Sequence, residues 1–229
     1  MNDRQGSLGP VWRLACAARN HALLPHGSSA CFAPISDRSN ADYPDEARTI
    51  IRAVPKRKRE FVSGRACARA ALAGLGCRAQ SIAAGPDRAP IWPDGYVGSI
   101  SHTSSLCLAV AGRSSDFLSI GVDLEPNTPL DLAVARSILS VAEWRNIEGD
   151  LGLAKMVFVA KEAVYKAYYP LTKTFLHFTD VSIRVSQDRS SLTAWLRHPT
   201  KPLPSGQRVF SGRFLLYADH CFALVAVQA

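Results

Sequence analysis

Between Ile120 and Pro126 apolar and polar positions alternate with a period of two: Ile120, Val122 and Leu124 fall on one side, Gly121, Asp123 and Glu125 on the other. This predicts a strand with an apolar face and a face bearing two carboxylates one pleat repeat apart. Pro126, which has no N–H for a ladder, predicts its end and leaves Glu125 at an open mouth. From Phe158 to Tyr169 the pattern changes to a mostly apolar helix in which Glu162 and Lys166 stand at i and i+4, on one face. Pro170 predicts where that helix stops. Another helix, Glu60–Leu72, follows the basic run Lys56-Arg57-Lys58-Arg59; its apolar stripe of Phe61, Ala68 and Leu72 continues to Leu75, and Gly74 and Gly76 stop it.

The remaining pattern is of shorter pieces. Tyr96–Ile100 and Leu106–Gly112 read as a hairpin with His102 at its tip, preceded by a proline-rich, turn-forming stretch from Gly85 to Gly95. Asp131–Leu139 reads as a helix, and Ser140 with Glu143 as the capping box of the next one. From Phe178 onward, alternating segments predict a closing meander. Before residue 48 scattered prolines predict one or two short strands and loops, with His21 and His26 in the loops.

With 229 residues, 47% of them hydrophobic, the chain can bury a substantial core. No apolar run is long enough for a membrane span and no secretory segment stands near Met1, so the expectation is a cytoplasmic protein. The six cysteines form no Cys-x-x-Cys pair and no metal-finger spacing with histidine, which predicts reduced and mostly buried thiols. A net charge of +8 favours an anionic partner: a phosphorylated small molecule, a nucleic acid or an acidic protein. No aromatic residues interleave the basic run in support of nucleic acid, and the phosphate-binding glycine motifs and the Gly-x-Ser-x-Gly nucleophile motif are missing.

Each candidate group taken singly has two readings. Asp123 and Glu125 form either a solvated strand face or a pair made favourable by a hard cation between them, for which oxygen donors suit Mg²⁺ or Mn²⁺ better than zinc. Glu162 and Lys166 form either a surface ion pair or a placed carboxylate and ammonium. Arg65 and Arg69, at i and i+4, form either a solvated basic face or a guanidinium fork for phosphate. His102 is either a turn histidine bonded to its own loop or a donor to phosphate.

In order along the chain, Ser99-Ile100-Ser101-His102, Gly121-Val122-Asp123-Leu124-Glu125 and Phe158-x-x-Lys161-Glu162-Ala163-x-x-Lys166 together resemble the 4'-phosphopantetheinyl transferases of the surfactin-synthetase-activating type. Ser63-Gly64-Arg65 and Trp92-Pro93-Asp94-Gly95 resemble the enterobactin-synthase component D branch of that family. The resemblance spans roughly residues 55–180. It implies an α+β fold, a pseudo-two-fold arrangement of two similar α/β halves, residues 1–118 and 119–229, with coenzyme A in the cleft between them. It assigns Asp123, Glu125 and Glu162 to Mg²⁺, with Mn²⁺ as the other choice, and gives catalytic roles to Glu162, Lys166 and Lys161. It places Arg57, Arg65 and Arg69 against the 3'-phosphate of coenzyme A, His102 near its nucleotide phosphates, and Ser101 and Lys161 against coenzyme A as well, together with Arg88 where relatives carry a lysine.

The implied reaction moves 4'-phosphopantetheine from coenzyme A to a serine of an apo acyl, peptidyl or aryl carrier protein and releases adenosine 3',5'-bisphosphate. A monomer is expected, with no nucleic-acid or membrane partner. Two rival readings use the same residues: a Mg²⁺-dependent nucleotide or pyrophosphate hydrolase, and a non-catalytic basic module that binds anions.

Overall fold

Period-two and helical patterns build the elements they predict, and the chain folds them into an α+β protein with two antiparallel sheets. The computed structural model describes residues 24–198, 200–217 and 219–229; the expectations for His21 and Cys16 lie outside these. In order come β1 (Ser28–Pro34), α1 (Pro44–Ile50), α2 (Pro55–Ala73), β2 (Tyr96–His102), β3 (Leu106–Arg113), β4 (Phe117–Pro126), α3 (Leu132–Ile138), α4 (Val141–Ile147), α5 (Leu151–Thr172), β5 (Val181–Val185), β6 (Ser191–Leu196), β7 (Val209–Tyr217) and β8 (His220–Gln228). The capping box at Ser140 and Glu143 is present as predicted. Cys67, Cys107 and Cys221 are buried free thiols, Cys77 is a half-buried one, and Cys31 is buried as well.

Helix α5 is longer than predicted at both ends. The Asp150 carboxylate caps its start by accepting from Leu153 N at 2.9 Å. Pro170 lies inside the last turn, where it removes one backbone donor without ending the helix. The end is closed beyond it: Thr172 Oγ1 donates to the Tyr168 carbonyl at 3.2 Å, and Lys173, in the left-handed region, donates its N–H to the Tyr169 carbonyl at 2.8 Å.

The first sheet has the order β1-β3-β2 and the second β4-β8-β7-β6-β5. Helix α2 lies on the outer face of the first through Cys67, Ala68, Ala71 and Leu72, and α5 on the outer face of the second. Ile120, Val122 and Leu124 point the other way, into a core shared with Phe32, Leu108, Val110 and Phe222. The edges β2 and β4 lie side by side without a backbone ladder. Two side chains join them instead: Ser99 Oγ accepts from Val122 N at 3.0 Å and Ser101 Oγ from Leu124 N at 3.2 Å.

The carboxylate face of β4 is turned towards α5, and Gly121 is what lets the helix approach. A Cβ at this position would stand 2.0 Å from the Ala163 carbonyl oxygen and 2.5 Å from Ala167 N, backbone atoms that cannot swing aside. Strand and helix are therefore in backbone contact one residue pair away from Asp123. Gly121→Ala should force the two elements apart and destabilise the fold by about 3 kcal/mol, the upper end of ordinary overpacking costs. Urea denaturation measures this, and a variant as stable as the parent would show that α5 does not bear on Gly121.

Candidate active site

The approach of α5 to β4 gathers charges from three elements around Asp123. This residue is only 5% exposed. Its Oδ1 accepts from Ser101 Oγ of β2 at 2.9 Å and from Lys166 Nζ of α5 at 2.7 Å, while Oδ2 is buried without a hydrogen-bond partner. Two residues on, half-buried Glu125 has its Oε2 3.6 Å from Lys155 Nζ, also from α5. Burial raises the pKa of Glu125 and of Glu162, and in each case the neighbouring Asp123 charge raises it further; Lys155 and Lys166 respectively oppose the rise. Asp123 thus lies close enough to Glu125 and Glu162 to penalise their ionisation.

At the end of β2, His102 meets the start of α2. Arg57 Nη1 lies 2.7 Å from His102 Nε2. Because a guanidinium can only donate, Nε2 accepts and the ring proton sits on Nδ1, which lies 3.9 Å from Glu60 Oε2. Burial lowers the His102 pKa, and the positive charges of Arg57 and Lys166 act in the same direction. Arg57 and Lys166 consequently bring two positive charges near His102, and Lys166 carries that cationic margin to Asp123.

Four expected ligand or catalytic contacts are corrected. Lys161 is 1% exposed, and its ammonium donates to the Ile138 carbonyl at 2.8 Å, the Phe178 carbonyl at 2.7 Å and Glu143 Oε2 at 2.8 Å, so all three protons are engaged. Burial lowers its pKa against the pull of Glu143. Glu143, itself buried, also accepts from Ser140 N and Ile183 N, each at 2.8 Å. Lys161 is a core tie among α3, α4, α5 and β5. It lies about 100° around the helix from Glu162, since consecutive helical residues do not share a face.

Arg65 is 6% exposed, donates its Nε to the Ile82 carbonyl at 2.6 Å and places its guanidinium 4.4 Å from the centre of the Phe61 ring; burial brings its pKa down to about 10. Arg69 is engaged at 2.6 Å with both Glu46 Oε1 and Asp42 Oδ2. The i, i+4 pair is real, but its side of α2 packs against the chain segment around Ile82 and against α1 rather than the cleft. Ser101, finally, has its hydroxyl filled by protein partners: Leu124 N, Asp123 and Lys166 Nζ, the last at 3.2 Å.

Arg88, with φ at +65°, lies on the wall of a cavity of about 310 Å³ that also meets Trp92, Leu118, Tyr165, Lys166 and Tyr169. The cavity lies between the two sheets and shares Lys166 with the acidic cluster. Across its rim Lys173 Nζ reaches Asp87 Oδ2 at 3.1 Å. Sequence reasoning missed Lys155, although it stands seven residues before Glu162 and therefore on the same helical face.

The carboxylates suit a hard divalent cation in their donor chemistry: all are oxygen donors, one buried oxygen is orphaned, and burial together with the Asp123 charge raises the pKa of the other two. They are not a finished cage, because among the described residues no three of His, Cys, Asp and Glu stand together in a ligand arrangement. In their place Lys166 and Lys155 hold Asp123 and Glu125.

Acids of β4 and cations of α5 thus meet at a seam between two antiparallel sheets. The family model of the 4'-phosphopantetheinyl transferase N-terminal domain matches residues 45–112, and that of the 4'-phosphopantetheinyl transferase superfamily matches residues 119–224. The 4'-phosphopantetheinyl transferase Svp of Streptomyces mobaraensis is 38% identical over 195 residues, covering 82% of this chain and 79% of that protein. The 4'-phosphopantetheinyl transferase PptT of Mycobacterium tuberculosis is 41% identical over 66% of this chain and 68% of that protein. Enterobactin synthase component D of Salmonella typhi is 40% identical over 49% of each chain. The chain belongs to the 4'-phosphopantetheinyl transferase superfamily. It is a transferase, moving phosphopantetheine from coenzyme A to a carrier protein.

The assignment of Lys161 to the core has its own test. Lys161→Ala leaves Glu143 charged and buried and should cost about 3–5 kcal/mol of stability. Denaturation curves would show the loss, with turnover per folded molecule largely kept; a stable protein with turnover abolished would return Lys161 to the chemistry.

Proposed function

We propose that coenzyme A lies along the seam between the two sheets, its phosphates against Arg57, His102 and Lys166, and that a carrier-protein serine approaches from the side of Glu162. The observation that carries this reading is the contact of Lys166 with Asp123, whose other oxygen is buried and orphaned, in a cluster that Glu125 and Glu162 complete. Asp123, Glu125 and Glu162 would hold Mg²⁺, or Mn²⁺ in its place. Bound there, the ion would supply Lewis-acid polarisation of the phosphate oxygens.

Glu162 takes the serine proton, a task for which its raised pKa suits it better than an ordinary carboxylate. The serine oxygen bonds to the phosphorus that carries pantetheine, and the bond from that phosphorus to the bridging oxygen breaks. Adenosine 3',5'-bisphosphate leaves with the electron pair. Lys166, already fixed by Asp123 and Ser101, faces the charge that develops on the leaving phosphate. Arg57 takes over the 3'-phosphate contact first assigned to three arginines, and the cavity beside Arg88 offers an apolar and aromatic wall to the rest of the ligand.

The partner is an apo acyl, peptidyl or aryl carrier protein, and an acidic one would be drawn by the net charge of +8. A monomer working in the cytoplasm, divided into halves 1–118 and 119–229, accords with a cleft that one chain forms by itself. Among the described residues no helix is long and apolar enough to cross a membrane.

Intact mass spectrometry of an apo carrier protein incubated with this protein, coenzyme A and Mg²⁺ tests the reading. A gain of one phosphopantetheine, lost on adding a chelator, is expected. Hydrolysis of coenzyme A without carrier modification would favour a hydrolase, and salt-sensitive binding that survives Asp123→Ala with Glu125→Ala, without turnover, an anion-binding module. Glu162→Gln should lower kcat by about 10²–10⁴-fold with the fold intact, and an active, folded variant would remove Glu162 from proton transfer. Arg57→Ala should raise KM for coenzyme A more than for dephospho-coenzyme A. Equal effects on the two would mean that Arg57 does not read the 3'-phosphate.

A further inference from the structure

Two serines of β2 bind β4 in the same way, and only one of them also touches the acid cluster. Ser99 and Ser101 are 5% and 6% exposed, and each accepts a backbone N–H from the unladdered edge of β4. A hydroxyl has one proton and two acceptor sites. In Ser101 the acceptor sites take Leu124 N at 3.2 Å and Lys166 Nζ at 3.2 Å, and the proton goes to Asp123 Oδ1 at 2.9 Å. That completes its capacity and leaves nothing for a substrate oxygen. Among the described residues Ser99 makes no corresponding bond to a carboxylate.

The consequence falls on the two oxygens of Asp123. Oδ1 is held by Ser101 and Lys166, which fixes the plane of the carboxylate; Oδ2, buried and unpartnered, is left as the oxygen free to bind. We propose that Ser101 is a positioning residue: it ties the first sheet to the second and, through the same hydroxyl, aims Asp123 Oδ2 at the cation. Ser99 performs the tie alone. This rests on the reading that Asp123, Glu125 and Glu162 bind a divalent cation. It assigns the motif Ser99-Ile100-Ser101 to the alignment of the two halves rather than to contact with coenzyme A. A carboxylate whose outer partner is removed keeps its charge but loses its aim, and such losses commonly weaken metal binding by about 10–100-fold.

The pair of serines supplies its own control. Ser99→Ala, Ser101→Ala and Ser101→Thr would be compared for melting temperature and for binding of Mn²⁺ alone, read from the electron paramagnetic resonance signal of the free ion. Both alanine variants should lose thermal stability, since each removes the acceptor of a β4 N–H, and Ser101→Ala should lose the more, since it also removes the bonds to Asp123 and Lys166. Only Ser101→Ala should weaken Mn²⁺ binding, by about 10–100-fold, and Ser101→Thr, which keeps the hydroxyl, should restore it. Should Ser101→Ala fail to fold, Ser101→Cys, close in shape but a poor donor, carries the same comparison with Ser99→Cys. Equal Mn²⁺ affinity in the Ser99 and Ser101 variants, with the parent binding normally, would overturn the positioning role and leave the cation site standing. A parent protein that binds no Mn²⁺ would overturn both.

Discussion

A carboxylate taken out of water must be met by donors or cations, and Asp123 is where this molecule meets that requirement. At 5% exposure its charge is matched on one oxygen by Ser101 and Lys166, which come from different sheets' sides of the seam. Satisfying Asp123 therefore brings β2, β4 and α5 into one arrangement. The other oxygen remains unsatisfied, and the same burial that makes this costly makes the position receptive to a cation. Stability and function pull on the same side chain in opposite directions.

Gly121 makes the meeting possible by removing the one atom that would hold α5 away from β4. Once the helix lies on the strand, its faces take separate tasks. One face carries Lys155, Glu162 and Lys166 to the acids of β4. Another turns Lys161 into the core, where Glu143 and two carbonyls receive it. Adjacent residues of one motif thus differ entirely in what they do, because a helix separates neighbours by about 100°.

The basic residues divide in the same manner. A charge of +8 is a property of the whole chain, but Arg65 and Arg69 are turned inward to join α2 to α1 and to the segment around Ile82. Arg57 and Lys166 remain at the cleft, where burial and their charges lower the pKa of His102, which Arg57 contacts directly. The field presented to a phosphate comes from these few groups rather than from the sum over the sequence.

Much of this was legible before the chain was folded. Alternation at 120–126 determined which side of β4 is acidic, i, i+4 spacing determined that Glu162 and Lys166 share a face, and three ordered motifs determined the family. These are local periodicities, set by the pleat and the helical turn. What only the tertiary structure decided were the partners: that Lys161 and Arg65 are internal, that Lys155 belongs beside Glu125, that the helix continues through Pro170, and that two serine hydroxyls stand where a ladder would be. Spacing states which side chains share a surface. It does not state whether that surface will face water, a core carbonyl or a buried acid, because that depends on contacts between residues far apart in the chain.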